Sequence, residues 1–387
     1  MYLTYQYRLI PSKEQYRALE QLLESQRLLY NAALEERIGA YRRGITRSYE
    51  DQTRALTEWR QSDPDAACVL YCMQRATLKR LDEAYRGFYR RLKQKKAKAG
   101  FPRFRGKGWW HSFALSDFPV GRFDGVRLRF KGMPGALRVH VHRPLPTGRP
   151  IRSCVFRRDT SGWKVGFVVQ IPGGRGREGY RAVGVDVGIG TFAVLSDGGY
   201  IPSLRAARRA HRKLRVAERS LARKHRKSKC REKARMQLAR CHAAITRRRS
   251  EFLHQATARL IRDYDVIAVE NLNVEGLARG PLARDVHDAS WGRFFAMLHY
   301  KAERAGVRVV AVDPRYSSQD CSGCGMRVNK GLDQRRHVCP QCGLSIDRDI
   351  NAARNILDRA GVGPGLRNVA DVAACVQAET SSDRDTS

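Results

Sequence analysis

Asp186 stands in the middle of the apolar run AVGVDV (182–187), and a carboxylate there constrains any fold the chain can adopt. Period-two alternation puts Gly184 and Asp186 on the face opposite Val183, Val185 and Val187. A charge so placed is costly unless it holds a metal or finds a partner. The same argument applies to Glu270, which closes the run VIAVE. A third acid, Asp349 in IDRDINAARNIL, reads by itself as a helix N-cap, and its neighbour Asp347 could exchange roles with it. Taken singly, each acid has an ordinary structural explanation. Taken together, in this order and context, they read as acids from separate elements that converge on one point.

Residue type narrows the chemistry. Carboxylate oxygens suit Mg²⁺ or Mn²⁺, which keep water ligands and bridge phosphate oxygens. Two such ions about 4 Å apart activate an attacking water and stabilise a leaving oxygen, as phosphodiester cleavage needs. Neither a Ser/His/Asp nucleophile set nor a Walker-type phosphate loop is present, so the expected hydrolysis needs divalent metal and no nucleoside triphosphate. A different metal is expected just before Asp349. Cys321-x-x-Cys324 and Cys339-x-x-Cys342, fourteen residues apart, have the spacing of a Cys₄ zinc ribbon, with Gly325 and Gly343 allowing each turn. Four thiolates close such a site, so its zinc is structural, and His337 is read as a bystander.

The chain carries a net charge of +36 over 387 residues, 42% of them hydrophobic. That is too apolar for a disordered basic tail and too basic for an ordinary metabolic enzyme, so the natural partner is a polyanion. No apolar run reaches the ~18 residues of a membrane span, and MYLTYQYRLIPSKEQ has no secretory pattern. Cys68, Cys72, Cys154, Cys230, Cys241 and Cys375 form no disulfide-like framework. A reducing cytoplasm fits, with these six as buried apolar filler.

Residues 2–10 alternate like a strand and stop at Pro11, after which Ser12 and Gln15 read as a capping box. A helix follows, with Leu19, Leu22, Leu23, Leu29 and Ala33 on its apolar positions, and a second long helix is expected over 67–93. The loop FPRFRGKGWWHSF interleaves aromatics with Arg103, Arg105 and Lys107, suited either to stacking on bases or to anchoring the loop on the core. From about 112 to 175 the period is two, which predicts a small antiparallel barrel that includes strand 2–10 and makes the helical region an insertion. A linker, IPGGRGREG, precedes a meander around Asp186, with a turn at Asp197–Gly198. Residues 203–250 read as a long helical stretch with nineteen Lys/Arg against two Glu. Phosphates along it would relieve the self-repulsion, and Arg208, Arg209, Arg212 and Lys213 are candidate contacts. Strands at 265–270 and 307–312, a helix from about 350, and a disordered tail after about 362 complete the reading.

GVDVGIGTFAVLSDG, VIAVENL, SSQDCSGCG, HVCPQCG and DRDINAARNIL closely resemble the TnpB (OrfB) proteins of bacterial insertion sequences, relatives of type V CRISPR effector nucleases. YRLIPSKEQ, LDEAYRGFYRR and FPRFRGK extend the likeness, more loosely, into the N-terminal half. The resemblance implies an α/β multidomain architecture. A wedge-type β-barrel (1–11 and 112–175) would carry an inserted helical recognition domain (12–111). A RuvC nuclease domain of RNase H-like fold (180–314 and 345–362) would carry a zinc ribbon (315–344), and 363–387 would be a disordered tail. It further implies cleavage of double-stranded DNA beside a short flanking motif, directed by a guide RNA from the transposon end; a bacterial, cytoplasmic and nucleoid-associated protein is expected, with the oligomeric state open and a monomer favoured. By motif position Asp186, Glu270 and Asp349 match the catalytic, Mg²⁺-binding acids. The barrel and helical insertion would read the flanking motif, with Gln74 and Lys79 as candidate contacts. A guided repressor descended from such a nuclease would have lost an acid, whereas all three are present. A miniature CRISPR-associated effector would share the chemistry, an unguided resolvase-type nuclease would leave the basic insertions unexplained, and a strand-transferring transposase is disfavoured despite the family's historical label.

Overall fold

In the computed structural model, β1 (Tyr2–Ile10) buries Tyr5, Tyr7 and Leu9 on one face, as the alternation predicts. The structure describes residues 1–94, 99–118, 121–176, 181–331 and 334–361. Cys375 and the tail expected to be disordered lie outside them, and the linker is described as far as residue 176. The capping box closes as predicted, with Gln15 N donating to Ser12 Oγ at 3.1 Å and Ser12 N to Gln15 Oε1 at 3.0 Å. It opens α1 (Lys13–Arg42), which turns Leu19, Leu22, Leu23 and Ala33 inward. After α2 (Tyr49–Ser62), the helix expected over 67–93 starts later. Asp63 caps a separate short helix, α3 (Pro64–Cys68), and α4 (Tyr71–Lys93) begins beyond it.

Six further strands follow: β2 (Ser112–Leu115), β3 (Gly121–Phe123), β4 (Arg127–Phe130), β5 (Leu137–His140), β6 (Ile151–Asp159) and β7 (Gly162–Gln170). With β1 they form an antiparallel sheet ordered β2-β6-β7-β1-β5-β4-β3, so the N-terminal strand does belong to it. The expected closed barrel is corrected: among the described residues β2 and β3 are unpaired edges, and the sheet is an open half-barrel. Edges of four and three residues offer little backbone to close upon. Nor is the helical segment separately cored. Leu19, Tyr30 and Leu34 of α1 and Met73, Leu78 and Leu81 of α4 cluster with Phe113, Phe156, Trp163 and Phe167.

The chain divides after Ile171, and the second unit holds the acids. It opens with the meander β8 (Ala182–Val187), β9 (Thr191–Leu195) and β10 (Tyr200–Pro202). The basic stretch folds as two helices, α5 (Ala206–Ala222) and α6 (Lys229–Asp263). Asp288 ties them together, accepting from Ala207 N at 3.0 Å and from both Nε and Nη2 of Arg249. Then come β11 (Val266–Glu270), α7 (Val274–Leu277), α8 (Ala283–Ala289), α9 (Trp291–Ala305), β12 (Arg308–Val312), β13 (Arg336–Val338), β14 (Ser345–Asp347) and α10 (Arg348–Arg359). The sheet is ordered β10-β9-β8-β11-β12, with β8, β11 and β12 mutually parallel. AVGVDV and VIAVE are nearly continuous apolar runs because helices cover both faces, whereas RVVAV, at the sheet edge, is half-buried with Ala311 exposed. Val183 and Val185 pack with Leu253, Leu260, Phe294 and Leu298 on one side, while Ala268 packs with Ile356 and Ala360 on the other.

Helix α10 lies against β8 so closely that only glycine fits at 184. A Cβ there would stand 1.9 Å from the carbonyl oxygen of Ala353 and 2.9 Å from Leu357 N, both backbone atoms that cannot swing aside. Gly184→Ala is therefore expected to destabilise the second unit by about 2–4 kcal/mol, as overpacking and backbone displacement do. Denaturant titration followed by circular dichroism reads the change.

Candidate active site and metal centre

Parallel pairing brings two of the acids side by side. The last registered pair of β8 and β11 is Val185 with Val269, so Asp186 and Glu270 follow on adjacent strand ends. Both share the sheet face covered by α10, since Asp186 alternates with Gly184 and Glu270 with Ala268. The third acid comes from α10 itself. Asp347 is the N-cap, its Oδ1 accepting from Asp349 N at 2.8 Å and Ile350 N at 3.3 Å. That leaves the Asp349 carboxylate on the first turn, 3.4 Å from Arg348 Nε and 3.6 Å from Arg335 Nη1.

Electrostatics report the convergence. Burial pushes the Asp186 carboxyl well above the ordinary range, and the charges of Glu270 and Asp349, with a smaller part from Asp347, push it further against Arg348. Glu270 is buried and also raised, chiefly by burial, with the Ser317 hydroxyl at 2.6 Å and the charge of Arg359 opposing. An all-oxygen, mutually repelling donor set of this kind suits a hard divalent cation.

The knuckle has the geometry its spacing predicts. Cys321 and Cys342 Sγ are 3.6 Å apart, as are Cys324 and Cys339 Sγ. Tetrahedral Zn–S bonds of about 2.3 Å imply sulfur separations near 3.8 Å, so the residues fit structural zinc. The two halves repeat one turn: Gly325 N donates to Cys321 O and Gly343 N to Cys339 O, with both glycines at positive φ, +74° and +72°. Backbone N–H groups from Cys342 and Gln341 lower the Cys339 thiol pKa, while hydrogen bonds among the sulfurs push those of Cys324 and Cys342 up, as four thiols sharing one site do. His337 is fully buried in the ribbon and outside the ligand group, with its ring against Lys330. Of the other cysteines, Cys154 is the buried filler expected. Cys68 ends α3 and Cys230 lies in the first turn of α6, and both are exposed.

Arg103, Arg105 and Lys107 are exposed, as are Lys79, Arg208, Arg209, Arg212 and Lys213. The aromatic loop divides its labour: Trp110 is buried against Tyr30, while Trp109 is 77% exposed. The expectation for Gln74 is corrected. Its side chain is buried, accepting from Arg60 Nη1 at 2.5 Å and donating to Ala66 O at 3.1 Å, so its amide is engaged within the helices. Sequence reasoning assigned no role to Ser317, Asn351 or Asn355, although SSQD and the i, i+4 asparagines of α10 lie inside the quoted motifs.

Cys324→Ser is expected to lower bound zinc from one per chain and to reduce the melting temperature, read by elemental analysis and calorimetry. Asp186→Asn should do the opposite to stability. A carboxyl raised by burial and like charge favours folding when protonated, and that contribution is lost as pH rises through its elevated value. The variant should thus melt higher than wild type near pH 8 in magnesium-free buffer, with the gap closing toward pH 5. An equal or lower midpoint at pH 8 would contradict the repulsion.

Three family profiles match: residues 1–46 a helix-turn-helix domain of the OrfB/IS605 group, 169–280 the OrfB/IS605 "probable transposase", and 291–356 the Cas12f1-like TNB domain. Despite the first description, residues 1–46 fold as β1 and the single helix α1. A Streptomyces pristinaespiralis protein named "Putative RNA-guided DNA endonuclease" is 33% identical over 344 residues, 87% of this chain and 84% of that one. InsQ of Escherichia coli K12, which carries the same description, is 26% identical over 303 residues, covering 73% and 71%. Among solved structures, Cas12f1 in its sgRNA–target DNA complex shares the fold at TM-score 0.57 and 14% identity, over 92% of this chain and 84% of that one. On the Streptomyces relative and the profile matches, this chain belongs to the OrfB/TnpB family of insertion-sequence proteins.

Proposed function

We propose that this protein is an RNA-guided endonuclease that cuts double-stranded DNA beside a short flanking motif, with a RuvC-type site formed by Asp186, Glu270 and Asp349. The observation that carries the reading is the placing of three acids from β8, β11 and α10 so that the charges of Glu270 and Asp349 add to burial in raising the Asp186 carboxyl. Repulsion among acids gathered at one edge of a sheet face has no value to a fold unless a cation is to be held there. Asp186 and Glu270, on adjacent rigid strands, would hold Mg²⁺ or Mn²⁺ from the sheet, and Asp349 from the first turn of α10. When bound, the ions supply activation of the attacking water and neutralise charge at the scissile phosphate. Arg335 and Arg348, beside Asp349, are placed to attract that phosphate.

The names of the relatives support the guided reading, and the charge of +36 supports nucleic-acid partners. The exposed cations of α5 and of the loop around Trp109 would grip backbone phosphates, leaving sequence to base pairing with a guide from the transposon end. The half-barrel and its helices would act as the wedge and recognition parts, with Lys79 on the exposed side of α4. Residues 315–344 would act as the zinc ribbon of the nuclease part. Among the described residues no helix is long and apolar enough to cross a membrane, and a monomer acting in the bacterial cytoplasm, at the nucleoid, is the proposed setting.

The test is to express the protein with its native flanking DNA, sequence the RNA that copurifies, and assay cleavage with that RNA. A discrete species ending in flanking sequence, with Mg²⁺-dependent cutting of a matched duplex, is expected. Asp186→Ala and Glu270→Ala should each lower cutting at least a thousandfold and leave DNA binding within a few-fold. A smear of host RNA, or cutting retained by either variant, would overturn the assignment.

A further inference from the structure

The Glu270 carboxylate is held by a residue from outside the sheet. Ser317 is buried, and its hydroxyl donates to Glu270 Oε1 at 2.6 Å. Ser317 lies four residues before Cys321, at the entry to the four-thiolate knuckle. The preceding Tyr316 adopts the left-handed conformation, φ +59°, which is costly for a non-glycine residue and persists only when its surroundings impose it. Those surroundings are specific: Arg327 lies 3.6 Å from the Tyr316 ring centroid and bonds Asp320 at 3.0 Å.

The entry segment is also latched to α10. Asn355 Nδ2 donates to Ser317 O at 2.8 Å and Asp320 O at 2.7 Å. Asn351 Nδ2 donates to Asp320 O at 2.7 Å, and its Oδ1 accepts from Ser322 N, next to the first zinc-site cysteine. Arg359 reaches Asp313 O, Arg315 O and the Asp320 carboxylate. Both asparagines are buried, and every bond runs between α10, which carries Asp349, and the segment that carries Ser317. The knuckle, the third acid and the hydroxyl on the second acid therefore form one hydrogen-bonded assembly.

We infer that Ser317 is a positioning residue that aims the Glu270 carboxylate at the divalent cation, and that the zinc knuckle keeps it there through Asn355. The inference rests on the proposed carboxylate site and adds to it. A hydroxyl that fixes one rotamer of a metal-binding acid raises affinity for the ion, and loss of such outer partners costs about 10–100-fold. The knuckle thereby acts on metal binding at the acids, beyond its part in folding.

The test is Mn²⁺ binding to the full-length, zinc-loaded protein, counted from the free Mn²⁺ signal in electron paramagnetic resonance. Ser317→Ala should weaken the site about tenfold, with zinc still at one per chain. Ser317→Thr, which keeps the hydroxyl, should restore most of the affinity. In cleavage the half-saturating Mg²⁺ should rise similarly, while the rate at saturating Mg²⁺ changes less. Asn355→Ala should weaken Mn²⁺ binding at least as much as Ser317→Ala, and the double variant should be no worse than Asn355→Ala, because the Ser317 hydroxyl acts on Glu270 only while Asn355 holds its segment. Wild-type affinity in Ser317→Ala, equal losses in the Ala and Thr variants, or additive losses in the double variant would overturn the inference and leave the carboxylate site standing. Wild-type protein that binds no Mn²⁺ would remove the site and the inference together.

Discussion

The charges of Glu270 and Asp349 bearing on Asp186 are the constraint the second unit has to accommodate. Burial and like charge both oppose ionisation at Asp186, so each acid must come from an element too rigid to let it swing away. Two parallel strands held in register on both sides meet that need, and they bring Asp186 and Glu270 to neighbouring ends. The third acid requires a helix end placed over the sheet, which is possible because Gly184 lets the backbone of α10 approach β8 directly.

That approach needs support, since α10 is short and one turn of it carries the acid. The knuckle supplies it. The segment between β12 and α10 has little apolar content of its own to bury; Cys321, Cys339 and His337 are among its few buried side chains. A piece with so small a core depends on a metal for its folding energy. Asn351, Asn355 and Arg359 then convert a locally stapled loop into a brace on α10. Under the proposed function the two metal sites would be physically linked: a closed thiolate site would give rigidity, and the open carboxylate site would be what the rigidity serves.

Much of this was legible in the chain. The capping box at Ser12 and Gln15, the membership of β1 in the larger sheet, and the knuckle turns at Gly325 and Gly343 follow from local pattern and are present. Misreadings arose where local pattern was silent about neighbours. Gln74 is a candidate contact only by its place on the expected helix, yet Arg60 and Ala66, fourteen and eight residues earlier, occupy its amide. Alternating strands predicted a barrel, but whether edges meet depends on strand lengths and on how many pairs intervene. Asp347 and Asp349 were interchangeable in sequence, and the cap geometry made Asp347 the one bound to the helix N-terminus.

The sequence by itself determined the elements and the chemistry of their side chains: apolar strands interrupted by acids, paired cysteines at ribbon spacing, and a charge that demands a polyanion. These are properties of residue type and of separations within one element. The tertiary structure alone decided which face of the sheet α10 covers, that Ser317 reaches Glu270 across 47 residues, and that two asparagines one helical turn apart hold the knuckle to the acid-bearing helix. Such contacts join residues far apart in the chain, where periodicity carries no information and only the packed arrangement selects the partner.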